Sequence, residues 1–155
     1  MFVLCPKCWN ELNTSPVECP CCGTSVDVST PKYMRHMLTA IPHANSDKRT
    51  RICWVLGFIG DRSSVPALIE LLRDPEVFVR IAALRALGEI GDPATLGAVE
   101  KLTLAPNLAV RTIARNVLKL LLEHPVADSP PTAVQETTAH ETCEVPTIPV
   151  GREVA

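Results

Sequence analysis

The stretch that decides how this chain folds is Val79-Arg80-Ile81-Ala82-Ala83-Leu84-Arg85-Ala86-Leu87-Gly88-Glu89-Ile90-Gly91-Asp92-Pro93. Ala83, Ala86, Leu87 and Ile90 stand at i, i+3, i+4 and i+7, one stripe of an α-helix. Ala, Leu and Arg, which fill most of the rest, are good helix formers. Gly91 closes the unit, where it matches Gly60 one unit earlier. Asp92-Pro93 then offers a restart, an N-cap residue followed by proline at the first helical position. A helix that stops and restarts this abruptly predicts helical hairpins in series.

Comparing the chain with itself at an offset of 31 aligns three ungapped units, 30–60, 61–91 and 92–122. They open on Thr30-Pro31, Asp61-Arg62 and Asp92-Pro93. Arg49, Arg80 and Arg111 share a column, as do Leu56, Leu87 and Leu118. Gly57 matches Gly88, and Gly60 matches Gly91. The first helix reads from Met34, Met37, Leu38 and Ile41, then from Val65, Leu68, Ile69 and Leu72. The second reads from Ile52, Val55, Leu56 and Ile59, and recurs as Ala114, Val117, Leu118 and Leu121 in the third unit. Glu100 and Thr103 fall in apolar columns and Gly97 lowers propensity, so the first helix of unit three should be the most exposed or the least stable. These residues resemble HEAT-like repeats of the short type named for bilin lyases, over residues 30–122. The resemblance implies a mostly α chain, a right-handed α-solenoid of three 31-residue hairpins. It also implies an Asp–Arg bond across stacked units, which Asp74 and Arg80 match. For Arg49, Arg80 and Arg111 a structural role is therefore expected over ligand contact.

Ahead of the repeats, Cys5-x2-Cys8 and Cys19-x2-Cys22 form two pairs ten residues apart. Each pair can turn two thiolates onto one ion, and two pairs supply the tetrahedral site that Zn²⁺ accepts. Proline follows the first cysteine of each pair, and Gly23 allows a positive φ just past the second. So polar a segment has little else to fold around. Cys21 is the alternative to Cys22, at a less usual spacing. The paired Cys-Pro-x-Cys knuckles resemble zinc-ribbon domains and imply a small β domain over residues 1–28 with one structural zinc. A rubredoxin-like iron site shares the knuckle. Four thiolates leave no open position for water, so catalysis at the ion is not expected.

Apolar residues make up 46% of the chain and aromatics only 4%, which suits helices better than an all-β fold. Net charge is −2, unlike that of a polycation. By residue count, 31–124 carries thirteen bases and nine acids, whereas 125–155 carries one base and five acids. The last segment, rich in Pro, Thr and Glu, reads as a disordered tail holding Cys143 and an apolar Val145–Val150. No apolar run reaches membrane length, and no signal peptide is read, so a cytoplasmic protein with metal-bound or free thiols is expected.

No nucleophile, base and orienting group stand at a motif spacing, so the chain reads as a non-catalytic scaffold or adaptor for a protein partner. Two rivals remain. Zinc ribbons and basic solenoid faces also bind nucleic acid, and the resemblance implies a bilin lyase-like or isomerase accessory subunit. Arg51, Trp54 and Phe58 at i, i+3 and i+7, with Arg85 in the Trp54 column, make the candidate partner face. The alternative is that the ribbon or the tail covers Trp54 and Phe58. Leu120 and Leu122 on the last helix suggest a second face, a route to a partner or a homo-oligomer. Cys53, in the column of Leu84 and Arg115, reads as a semi-buried thiol.

Overall fold

A computed structural model describes residues 3–13 and 17–123 of the 155-residue chain. The tail 125–155, with Cys143 and Val145–Val150, lies outside the described residues, as does His124. Two hairpins come first. Strand β1 (Val3–Leu4) pairs antiparallel with β2 (Glu11–Leu12), and β3 (Val17–Glu18) with β4 (Ser25–Val26). The second hairpin repeats the first at an offset of 14: Val3 pairs Leu12, and Val17 pairs Val26.

Six helices follow as three hairpins: α1 (Pro31–Ala40) with α2 (Ser46–Ile59), α3 (Val65–Leu71) with α4 (Val77–Ile90), and α5 (Leu96–Leu102) with α6 (Leu108–Glu123). Helix α4 packs between α2 and α6, so the second helices form one continuous layer. The other layer thins along the chain. Helices α1 and α3 each bury three side chains, whereas α5 buries only Val99, as its polar columns predict.

Local rules explain the boundaries. Thr30 caps α1 by accepting from the Tyr33 N–H, and Asn45 caps α2 by accepting from the Lys48 N–H. Gly60 and Gly91 end α2 and α4 with φ of 72° and 68°. Asp61 and Asp92 cap short 3-10 turns ahead of α3 and α5 rather than the helices themselves. In each turn the aspartate accepts from the N–H two residues on, and Ser64 or Thr95 donates back to its carbonyl. Asp27 and Thr30 make the same pair of bonds, with Ser29 N as the donor. The first unit thus begins at Asp27, not Thr30, and its first helix aligns with α3 at an offset of 34, Met34 matching Leu68 and Met37 matching Leu71. An added 3-10 turn, Ile41–His43, restores the 31-residue register by α2.

Two glycines set the stack. A Cβ on Gly57 would stand 2.7 Å from Ala86 Cα, and one on Gly88 would stand 3.2 Å from Val117 Cγ1. Each lets the next second helix come close. Their column in α6 holds Lys119, and Arg115 continues the column of the buried Cys53 and Leu84. The outward stripe of the last helix thus carries Arg115 and Lys119 between the exposed Leu108 and Leu122.

Candidate metal centre and binding faces

Each β-hairpin carries one cysteine pair in its turn. The Cys5 carbonyl accepts from Trp9 N, and Cys5 N donates to the Asn10 carbonyl. The second hairpin repeats this with Cys19, Gly23 and Thr24. The residue after each second cysteine has a positive φ, 68° at Gly23 and 64° at Trp9. Only the glycine is legible as such in sequence, because a left-handed tryptophan is strained.

The knuckles face each other. The Sγ atoms of Cys5, Cys8, Cys19 and Cys22 all lie within 4.8 Å of one another. Cys5 and Cys22 are 3.5 Å apart, as are Cys8 and Cys19. A tetrahedron with Zn–S bonds of about 2.3 Å has edges of about 3.8 Å, so the donor set fits a tetrahedral ion. Disulfides, with S–S near 2.05 Å, are not formed. Cys21 is exposed and stands outside the group. The thiols are electrostatically unequal. Cys22 is held down at about 6 by the Thr24 hydroxyl and N–H. Cys8 receives the Asn10 N–H, which favours its thiolate, yet burial and the neighbouring cysteines push it up to about 12. A cation held by these four cysteines would take the place of their thiol protons. Among the described residues this is the one group of His, Cys, Asp or Glu that could hold a metal ion.

The module is seated on the repeats. Tyr33 of α1 donates its hydroxyl to the Leu4 carbonyl at 3.0 Å and accepts from Leu4 N at 3.2 Å. Glu11 of β2 pairs with Arg51 of α2. Trp9 stands 6.2 Å from the His36 ring, with the Lys48 ammonium 5.5 Å from its centroid.

The candidate partner residues divide. Trp54 and Phe58 are 46% and 56% exposed on α2, so the described N-terminal hairpins do not cover them. Arg51 beside them is engaged by Glu11, while Arg85 is exposed one helix along. Leu120 and Leu122 are 51% and 65% exposed; Leu122 stands on the stripe of Arg115 and Lys119, and Leu120 lies off it. Sequence reading missed Phe78, Leu104 and Leu108, exposed apolar residues at the intra-unit turns of units two and three. Their positions carry no periodic signal.

The arginine column is structural. Arg49 Nη1 donates to the Ala44 carbonyl, Arg80 Nη1 to Asp74 and Arg111 Nη1 to Ala105. The bond across stacked units is not the one expected. Arg80 holds only the backbone of its own turn, and the Asp74 carboxylate receives Nε and Nη2 of Arg49, from the preceding unit, at 2.7 and 3.1 Å. Arg49 meets it because α2 packs against α4 at the turn that carries Asp74. Cys53 is fully buried, and burial pushes its thiol up to about 12.

No helix is long and apolar enough to cross a membrane among the described residues. No curated protein matches the chain by sequence. Among solved structures it is similar to human deoxyhypusine hydroxylase in complex with glycerol, with a TM-score of 0.57 and 25% identity. That match covers 61% of this chain and 34% of the enzyme, so the chain spans about a third of the enzyme's length. The HEAT repeats family matches residues 34–119, more than half of the chain, and the chain belongs to that family.

Proposed function

We propose that this protein is a non-catalytic adaptor in which a zinc-held N-terminal module and a three-unit HEAT solenoid present a surface to a protein partner. The observation that carries the reading is the half-exposed pair Trp54 and Phe58 on the layer of second helices. Solenoids commonly bind through such a layer, and aromatic side chains are enriched among binding hot spots. Zinc is favoured over iron because it accepts four thiolates tetrahedrally without redox demands, which suits a closed structural site. Free rather than bridged cysteines support a reducing, cytoplasmic setting.

Nucleic acid is the second reading, supported by the exposed Arg85, Arg115 and Lys119 on successive second helices. Against it, Arg49, Arg51, Arg80 and Arg111 are engaged within the protein. The lyase or isomerase reading rests on resemblance alone. Affinity capture with the full chain and with Trp54→Ala tests the adaptor reading. Partners retained by the first and lost by the second support it; an identical partner set removes this face. Binding to random duplex with a steep salt slope would instead favour nucleic acid.

A further inference from the structure

A cleft of about 340 Å³ lies between the second hairpin of the metal module and α1. One wall is the outer stripe of α1, where Lys32, Arg35, His36 and Thr39 stand at i, i+3, i+4 and i+7, all exposed. The helix contains no acidic residue. The floor is Val26 and Tyr33, both buried, with Pro6 from the first knuckle beside them. Thr24 and Thr30 also line it, but their hydroxyls are engaged by Cys22 and by the Asp27 carbonyl. One carboxylate lines the cleft, Asp27, and it is turned to its own loop, accepting from Ser29 N at 2.9 Å and Ser29 Oγ at 2.6 Å. Two fixed cations and an imidazole thus face the opening without an ion-pair partner on α1.

We propose that this cleft docks an acidic segment of a partner protein, with Lys32 and Arg35 receiving carboxylates, His36 donating beside them, and Val26 and Pro6 taking an aliphatic side chain. The inference rests on the adaptor reading for the kind of partner, but it uses a surface separate from Trp54 and Phe58. Charge complementarity and the apolar floor choose the occupant. A phosphate backbone needs a continuous cationic track, whereas this cleft is short, half apolar and contains Asp27. A glutamate–valine peptide satisfies both wall and floor. Because the cleft is built from both modules, the site forms only when the metal module is folded and seated.

The test is fluorescence anisotropy of a labelled octapeptide of alternating glutamate and valine, titrated with the full chain. Binding should weaken about tenfold in Lys32→Glu/Arg35→Glu, and also in the milder Lys32→Gln/Arg35→Gln, with circular dichroism unchanged. It should be unaffected by Lys101→Glu/Arg115→Glu, by Trp54→Ala, and should be lost for a glutamine–valine peptide. Equal binding by the cleft variants, or equal binding of the glutamine peptide, overturns the proposal. A single-stranded oligonucleotide that displaces the peptide at lower concentration overturns it in favour of nucleic acid. Binding that appears only in the full chain carrying Glu136→Gln/Glu141→Gln/Glu144→Gln overturns the partner as occupant and assigns the cleft to the chain's own acidic segment. Failure of the adaptor reading shows separately, as unchanged capture by Trp54→Ala.

Discussion

Tyr33 shows how single residues join the two parts of the chain. Its ring is buried on α1 and its hydroxyl makes two bonds to the backbone of β1. Tyr33→Phe leaves the Leu4 N–H and carbonyl unsatisfied and should cost about 1–3 kcal/mol. Amide exchange should rise in the β1–β2 hairpin while α4 and α6 keep their protection. Cys53 gives a second prediction. Buried, with its thiol raised to about 12, it stays protonated at neutral pH and should resist thiol reagents until the repeats unfold. Fast labelling in the native protein would contradict its placement. At this scale the sequence was legible where chemistry dictates spacing, as in the four cysteines whose Sγ atoms gather within 4.8 Å of one another. It was not legible where a contact depends on packing. Nothing local marks Arg49, rather than Arg80, as the partner of Asp74, because that bond spans two units.

The helices were legible from their stripes, and their ends from Thr30, Gly60 and Gly91. The register of the first unit was not. A 31-residue offset fits the second helices, but the extra turn Ile41–His43 shifts the first helix by three residues, and methionines and leucines stand at both offsets. The glycine column gives a sharper test of the stack. Gly57→Ala brings a Cβ to 2.7 Å from backbone of α4, so α2 and α4 must separate. Overpacking of about 1–3 kcal/mol outweighs the helix-propensity gain of about 1 kcal/mol, and thermal unfolding should move down. At Gly88 the new contact is 3.2 Å from a Val117 methyl, which can give way by a few tenths of an ångström. Gly88→Ala should therefore leave stability within about 1 kcal/mol of the parent. Equal losses at both positions would mean that the close approach at Gly57 is absent.

Across the whole molecule the two ends of the solenoid differ. The two cysteine hairpins pack on the first unit, while α6, the last described helix, places Arg115 and Lys119 where α2 and α4 hold buried or glycine positions. Sequence reading saw the leucines at this end but not that the stacking columns themselves turn polar, since that requires knowing which face of α2 meets α4. Arg115→Leu/Lys119→Gly restores an apolar stacking face, and sedimentation should then show stronger self-association than in the parent. On the proposed function, the fold of the cysteine-hairpin module depends on one ion held by Cys5, Cys8, Cys19 and Cys22. Chelation or Cys8→Ser should unfold the two hairpins and leave most of the helical circular dichroism intact, because the repeats keep their own buried core. The most direct measurement is metal content of the purified full chain by mass spectrometry, alongside Cys8→Ser. One zinc per chain in the parent and loss of stoichiometric zinc in the variant are expected. A metal-free parent, a variant that still holds one zinc, or an iron–thiolate absorption in the visible would contradict the zinc-held module.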